Sequence, residues 1–185
     1  MWIGLTGTPG TGKTSAADWL RAHDIDVIDL KAYATQQGCI TGEDTQRDTK
    51  IVDIDCITTK ITHDFDPDQT VIFEGLFAHF LPVTYVIILR CHPTTLRKRL
   101  QHRPYTPAKI NENVEAETLD IILCETTDFH PTDHIYEIDT TTHTTEQTGT
   151  IIKDLISTNF PPPTTYKIGT IDWSEEILKQ QNKER

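Results

Sequence analysis

The sequence GTPGTGKT at residues 7–14 matches the pattern G-x-x-x-x-G-K-[ST] at each of its defined positions. It directly follows an apolar run at residues 2–5, which predicts a buried strand, and it leads into good helix formers at residues 14–21. A strand, a glycine-rich loop and a helix in this order are typical of a loop that holds phosphate at the helix N-terminus. A glycine-rich turn with a chance lysine would explain neither flanking element. We therefore predict a nucleotide-binding P-loop.

The residue types in this loop have defined chemical tasks. Glycines allow backbone N–H groups to close around phosphate oxygens. Lys13 can reach the β- and γ-phosphates of a nucleotide, and the Thr14 hydroxyl is a ligand suited to Mg²⁺. The loop therefore predicts a bound nucleotide together with magnesium.

Length, hydropathy and charge narrow the class of protein. The 185 residues are enough for one domain with a buried core, and no apolar run is long enough to span a bilayer. Because the first strand leads straight into the P-loop, we expect a cytoplasmic protein without a signal segment. The formal charge of −11 argues against nonspecific binding of nucleic acid and favours a basic protein partner. The alternative is that the acidity only keeps the protein soluble, for example in a salty cytoplasm.

The pattern of apolar runs predicts an α/β fold. Short β-rich runs at residues 2–6, 26–30, 70–73, 85–89 and 135–138 alternate with helical or loop stretches, which indicates a parallel sheet covered on both faces. The connections at 31–69 and 91–134 are long enough to hold substrate-handling elements at the carboxyl edge of the sheet. We expect the Thr-rich residues 140–150 to lie outside the core. Three prolines at 161–163 begin a tail in which Ile171 and Trp173 are candidate anchors.

Two further features carry charge. Glu74 follows the apolar run VIF at residues 71–73, a place where P-loop enzymes hold an acid near magnesium; the alternative is an ordinary acid that closes a strand. The basic run at residues 97–103 is either a solvated helix face or the place where polyphosphate charge is met.

The cysteines show no metal or redox spacing. Cys39, Cys56, Cys91 and Cys124 contain no C-x-x-C pair. We therefore expect reduced structural thiols rather than disulfides or a zinc site.

Beyond the P-loop, six segments together resemble one known family. They are GTPGTGKT at 7–14, VIDL at 27–30, EGLFAHFLP at 74–82, VIILRCHP at 86–93, LRKRLQHRPY at 96–105 and ENVEAETLDIILCE at 112–125. In this order, over residues 1–158, they resemble the adenylate kinase 6 type of P-loop protein, which has archaeal members and eukaryotic members that act in maturation of the small ribosomal subunit. The resemblance implies a P-loop nucleoside-monophosphate-kinase-like three-layer sandwich with a five-stranded parallel sheet.

The resemblance also implies a domain plan. A kinase domain would span residues 1–160, with an AMP-side insert at about 31–52 and a short lid at about 102–112. Residues 161–185 would form a proline-led tail.

Site residues follow from the same resemblance, with ATP and Mg²⁺ as cofactors. The family's contacts with ATP phosphates fall on Gly10, Gly12, Lys13, Thr14 and Ser15. Its lid arginine falls on Arg103, which with Lys13 would stabilise the charge of the transition state. On the residue arguments given above, Thr14 and Glu74 would hold the metal. A kinase of this kind works by positioning and electrostatics, without a nucleophile or general base of its own.

The sequence departs from the family at three places. Pro104 replaces the glycine of an Arg-Gly-Tyr lid motif, and proline stiffens the chain there. Leu76 stands where the family often has a histidine, so that water activation would be weaker unless His79 substitutes; the alternative is that His79 is an ordinary helix or loop residue. Thr35 replaces an arginine of the insert, which leaves Arg47 as the arginine that meets AMP, or else as a surface ion pair.

Two functions from different classes remain open. One is an adenylate kinase that converts ATP and AMP into two ADP. The other is an ATP-gated assembly factor that binds a basic small-subunit ribosomal protein and is reset by hydrolysis. A nucleoside or shikimate-type kinase shares the fold and is disfavoured by the lid and the ENVEAE segment.

Overall fold

The structure is a computed structural model that describes residues 1–44, 49–162 and 164–176. Its strands are β1 (Trp2–Thr6), β2 (Val27–Asp29), β3 (Ile40–Asp44), β4 (Thr49–Val52), β5 (Val71–Glu74), β6 (Tyr85–Arg90) and β7 (Ile135–Asp139). Five of them form a central parallel sheet in the order β2-β5-β1-β6-β7, and β3 and β4 form a separate antiparallel hairpin. The five predicted strands agree with those of the sheet to within one residue at each end.

Helices connect the strands. They are α1 (Lys13–Arg21), α2 (Leu30–Gln36), α3 (Ile54–Asp64), α4 (Pro93–Gln101), α5 (Pro107–Thr118), α6 (Ile121–Phe129) and α7 (Thr145–Ser157), with 3₁₀ turns at Ala78–Phe80 and Thr132–His134. Within the described ranges, every helix is too short or too polar to cross a bilayer.

Alternating side chains of the strands build two cores, one on each face of the sheet. On one face, Ile3 and Leu5 of β1 pack with the apolar stripes of α1 and α7. On the other face, Trp2 of β1 and Phe73 of β5 pack with α2, α3 and α6. Helices therefore cover both faces of the sheet. Because its strands are buried on both sides, they carry apolar residues at successive positions. The predicted three-layer α/β fold is confirmed.

The order of the strands indicates at which edge of the sheet a ligand would bind. β1 lies between β5 and β6 and is parallel to both, so the carboxyl ends of these three strands meet at one edge. The chain changes from one side of β1 to the other between β5 and β6, and ligands bind at such a switch point in open α/β sheets. The P-loop, which follows β1, and Glu74, which ends β5, both lie at this edge.

The segment at residues 31–52 contains most of α2 and the hairpin of β3 and β4. Pairing of Ile40 with Val52 turns the chain back on itself. As a result Cys39 and Cys56 come within 5.6 Å between Cα atoms and form a disulfide. The expectation of reduced thiols is wrong for this pair, because spacing along the sequence does not reveal a contact made by a hairpin. Cys91 and Cys124 are free.

The Thr-rich segment is more buried than its composition suggests. Thr140, Thr148 and Gly149 are buried, so the expectation that residues 140–150 lie outside the core is wrong for these three. The Thr140 hydroxyl lies 2.7 Å from the carbonyl oxygen of Thr11 and 2.9 Å from that of Arg90. A hydroxyl with such partners is buried at little cost.

The tail docks along the outer edge of β7. The Glu137 N–H donates to the Tyr166 carbonyl, and the Gly169 N–H donates to a carboxylate oxygen of Glu137 at 2.7 Å. Trp173, a predicted anchor, packs edge-on against His92 with ring centroids 5.0 Å apart. The tail therefore covers a strand edge that would otherwise be open.

Candidate nucleotide-binding site

The P-loop has the backbone of an anion cradle. Gly10 and Gly12 have φ values of +96° and +103°, which glycine adopts without a steric penalty. A Cβ atom at Gly10 would come within 2.8 Å of a methyl carbon of Leu96. Gly12 is the N-cap of α1 and contributes no side-chain cap, so the first N–H groups of the helix face the cleft without a capping side chain. This arrangement suits a phosphate group.

Lys13 holds its ammonium group beneath the loop. Its Nζ donates to the carbonyl oxygens of Gly7 at 2.5 Å and Thr8 at 3.2 Å. Burial lowers the pKa of Lys13 to about 8, an effect that the charges of Glu74 and Glu117 oppose and that of Arg103 reinforces. A desolvated cation in this position interacts strongly with an anion brought next to it.

Thr14 and Glu74 form a pair of oxygen ligands. The Thr14 hydroxyl lies 3.5 Å from Oε1 of Glu74, which is buried at the end of β5. Burial raises the pKa of Glu74, and the charge of Lys13 opposes this effect. A hydroxyl and a carboxylate fit magnesium, which takes few protein ligands and completes its octahedron with water and phosphate oxygens. These two residues would therefore hold the ion.

A cleft runs along the P-loop, and we call it the loop cleft. It consists of two adjoining cavities, of about 310 and about 120 Å³, that share Gly10, Gly12, Ser15 and Arg103. Its other lining residues are Pro9, Thr11, Lys13, Thr14, Arg99, Thr140, His143, Thr144, Thr145 and Thr148. All of the predicted phosphate contacts thus line one cleft.

Arg103 reaches the loop cleft from the connection between α4 and α5. Its guanidinium carbon lies 6.0 Å from the centroid of the Tyr105 ring. The Tyr105 N–H donates to the Arg103 carbonyl at 2.7 Å, which closes a three-residue turn around Pro104. The fixed φ of proline suits the centre of such a turn, so Pro104 is compatible with an arginine at the cleft.

The residues of the basic run at 97–103 differ in their surroundings. Arg97 donates to the Asn111 side chain at 2.6 Å, while Lys98 is exposed. Arg99 donates to the Thr140 carbonyl at 2.6 Å and so fixes the chain after β7. Arg99 and Arg103 also line the loop cleft.

A second cleft, of about 710 Å³, adjoins the loop cleft at Pro9 and Thr14 and is lined by Glu74, and we call it the Glu74 cleft. Its lining residues are Thr8, Pro9, Thr14, Asp29, Lys31, Glu74, Gly75, Leu76, Phe77, His79, Phe80, Tyr105, Lys109, Glu112, Asn113, Ala116, Ile121, Ile122 and Glu125. Apolar and charged residues both contribute, as in a pocket for a ligand with a flat apolar part and a charged part.

His79 lies in the wall of this cleft. It is 1% exposed, with Nδ1 at 3.3 Å from the Thr6 hydroxyl and Nε2 at 3.2 Å from a carboxylate oxygen of Glu125. Burial and, to a smaller extent, the neighbouring His130 lower the pKa of His79 to about 4. His79 is therefore neutral near pH 7, and its contact with Glu125 is a hydrogen bond rather than an ion pair. Leu76, at the family's histidine position, is 45% exposed.

The predicted AMP-side arginine, Arg47, lies outside the described residues. Thr35, at the family's arginine position, uses its hydroxyl to bond the Lys31 carbonyl of its own helix at 2.9 Å. The cations that line the Glu74 cleft within the described part of the chain are Lys31 and Lys109.

Sequence analysis missed a buried polar cluster next to the loop. Arg90, at the end of β6, donates to carboxylates of Glu117, Asp120 and Glu137. Glu117 also accepts from the Thr8 hydroxyl. The available signal was an arginine that directly follows the apolar run VIIL, because a charged residue in a buried strand needs partners.

Comparisons with known proteins agree with this geometry. A family model described as an AAA domain matches residues 3–120. A protein of Archaeoglobus fulgidus named "Putative adenylate kinase" is 39% identical over 177 residues, which cover 96% of this chain and 94% of that protein. The chain belongs to the family of this archaeal protein. Proteins of the same name from Methanosarcina acetivorans and Natronomonas pharaonis are 36% and 34% identical, over 96% of this chain and 100% of each of them. Family membership confirms the archaeal part of the resemblance.

Solved structures show the same fold. Shikimate kinase from Acinetobacter baumannii superposes with a TM-score of 0.58 at 17% identity, over 85% of this chain and 93% of that one. Deoxyadenosine kinase from M. mycoides superposes with a TM-score of 0.53 at 13% identity, over 86% of this chain and 100% of that one. At these identities the similarity is one of fold alone, and it supports the P-loop kinase architecture of this family member.

Proposed function

We propose that the protein is a nucleoside monophosphate kinase that transfers the γ-phosphoryl group of ATP to AMP and yields two ADP. The observation that carries this proposal is that the loop cleft and the Glu74 cleft share Pro9 and Thr14. A phosphoryl donor in the first cleft and an acceptor in the second would therefore meet at the P-loop, next to Lys13. The names of the relatives support a nucleotide kinase of this kind.

In this proposal the site works by positioning and charge. The loop N–H groups and Lys13 bind the phosphates, and Arg103 approaches the transferred group from the lid at residues 102–112. Thr14 and Glu74 hold magnesium, which neutralises charge on the phosphate oxygens when bound. The transition state of phosphoryl transfer spreads negative charge over several oxygens, so fixed cations stabilise it without reacting themselves.

The acceptor, AMP, would occupy the Glu74 cleft. Its apolar wall, which includes Phe80 and Ile121, offers a surface for the base. Lys31 and Lys109 lie in the same cleft, and Arg47 remains the predicted arginine partner of the AMP phosphate. The segment at 31–52 is then the AMP-side insert of a kinase domain that spans residues 1–160.

A coupled assay of ADP formation from ATP, with and without AMP, tests the proposal. We expect ADP formation to require AMP and to exceed the rate with CMP, UMP or shikimate as acceptor. Equal ATP consumption with and without AMP would contradict it.

One observation favours a second function. The charge of −11 is suited to a cationic partner, and the resemblance to the adenylate kinase 6 type suggests a basic small-subunit ribosomal protein in the cytoplasm. In that case the protein is an ATP-gated assembly factor whose ATPase activity resets the cycle. Phosphate release that rises on addition of such a ribosomal protein, and binding that differs between ATP and ADP, would support this function. Absence of any nucleotide-dependent binding would leave adenylate kinase activity as the proposed function.

A further inference from the structure

Both carboxylate oxygens of Glu117, near the C-terminus of α5, accept hydrogen bonds. Glu117 is 2% exposed, and Oε2 accepts from the Thr8 hydroxyl at 2.5 Å. Oε1 accepts from Nε of Arg90 at 2.8 Å and from the Cys91 N–H at 3.0 Å. One side chain therefore ties α5 to the P-loop and to the chain that leaves β6.

Both the side-chain hydroxyl and the backbone carbonyl of Thr8 form hydrogen bonds. Its hydroxyl donates to Glu117, and its carbonyl accepts from Nζ of Lys13 at 3.2 Å. The same carbonyl accepts from the Thr11 N–H at 3.2 Å and the Thr11 hydroxyl at 2.9 Å. A shift of Thr8 would therefore move the carbonyl that supports the lysine ammonium.

The cluster around Glu117 contains more charge than packing requires. Arg90 bonds three carboxylates, those of Glu117, Asp120 and Glu137, and two of these are almost completely buried. Buried ion pairs seldom add to stability, because the cost of removing the charges from water offsets their attraction. A role in positioning gives this arrangement a functional basis.

We propose that Glu117 is a positioning residue for Lys13, that it acts through Thr8, and that it thereby links the P-loop to the helix that follows the Arg103 segment. α5 begins at Pro107, four residues after Arg103, and carries Glu117 at its other end. Movement of the segment that carries Arg103 and the position of Lys13 are then coupled through one rigid helix. This inference deepens the proposed function and rests on it for its kinetic test.

A double-mutant cycle of Thr8→Val and Glu117→Gln tests the link. Valine has the shape of threonine but cannot donate, and Glu117→Gln leaves Arg90 paired with Asp120 and Glu137. We expect Thr8→Val to lower kcat about tenfold while KM for ATP changes less than about threefold, because positioning acts mainly in the transition state. Thr8→Ser keeps the donor and should restore kcat.

The cycle also separates positioning from simple loss of stability. The double variant should be no slower than the slower single variant, since the charge-assisted bond needs both the Thr8 hydroxyl and the Glu117 carboxylate. Thr126→Val removes a buried hydroxyl of α6, which donates to the carbonyl of Ile122 in its own helix, and serves as the control for stability. Additive effects in the cycle, or a kcat for Thr8→Val equal to that of Thr126→Val, would overturn the proposal.

Failure of the proposed function can be told apart from failure of this inference. If the wild-type protein shows no AMP-dependent turnover, the same cycle is measured on the affinity for ATP by calorimetric titration. A coupling between the two substitutions of at least about threefold in affinity is then expected. Independent effects on ATP affinity would overturn the link between Glu117 and the loop.

Discussion

The Thr14 hydroxyl lies 3.5 Å from a carboxylate oxygen of Glu74, although 60 positions separate the two residues. The pair joins the first turn of α1 to the end of β5, and both residues line the Glu74 cleft. Because Thr14 also lines the loop cleft, a metal ion held here would lie where the two clefts meet.

Replacement of Glu74 by glutamine should weaken the use of magnesium. The amide keeps the size of the side chain but removes the negative charge, so the Mg²⁺ concentration for half-maximal ATP turnover should rise about 10- to 100-fold. A magnesium titration of turnover measures this. Glu125→Gln changes another acid of the same cleft and should leave the magnesium dependence as in the wild type. Equal effects of the two substitutions would contradict the metal assignment.

Arg103→Ala should affect turnover more than binding. The guanidinium is exposed and would act on the transferred phosphoryl group, so we expect kcat to fall about 100-fold and the affinity for ATP to fall much less. Steady-state kinetics together with ATP titration separate the two. Arg97→Ala, in the same basic run, is the matched control. If kcat and ATP affinity fall by the same factor, Arg103 is a ground-state binder.

Buried His79 should make the protein less stable in mild acid. Its pKa is about 4 in the folded protein, against an ordinary value of 6.5, so the unfolded chain takes up a proton first as the pH falls. Stability is then lost between about pH 6.5 and pH 4. Relative to His79→Gln, the wild type should lose about 2 kcal/mol between pH 7 and pH 5 in urea unfolding. An unchanged dependence in His79→Gln would contradict a buried neutral imidazole.

Reduction of the Cys39–Cys56 disulfide should destabilise the protein. The bridge closes a loop with a sequence separation of 17, for which the chain-entropy model gives about 3 kcal/mol. Unfolding with and without reductant measures the difference, and Cys39→Ser should match the reduced wild type. Cys124→Ser, at an exposed free cysteine, should remain sensitive to reductant. Four titratable thiols in the denatured, unreduced protein would show that the bridge is absent.

The parts of the fold and site that could be predicted from the sequence are those specified locally. The P-loop is contiguous, and Glu74 ends the strand whose apolar residues bring it to the carboxyl edge of the sheet. Alternation of strands and helices likewise indicated the layers, because both faces of a parallel sheet must be covered.

The parts that could not be predicted depend on contacts between distant segments. Thr8 and Glu117 are 109 positions apart, and no periodicity of either segment indicates that they meet. Thr140 looks like a polar loop residue in the sequence, and only the approach of the Thr11 and Arg90 carbonyls explains its burial. The disulfide escaped prediction for the same reason, since the hairpin between α2 and α3 creates it.

Transfer of the γ-phosphoryl group from ATP to AMP is tested most directly by a label on that group. ATP labelled in the γ-phosphate is incubated with unlabelled AMP and Mg²⁺, and the products are separated. We predict that the label appears in the β-phosphate of ADP and that two ADP form for each ATP consumed. The Lys13→Ala variant should form no labelled ADP. Label that appears only in inorganic phosphate, at a rate independent of AMP, would contradict the assignment as an adenylate kinase.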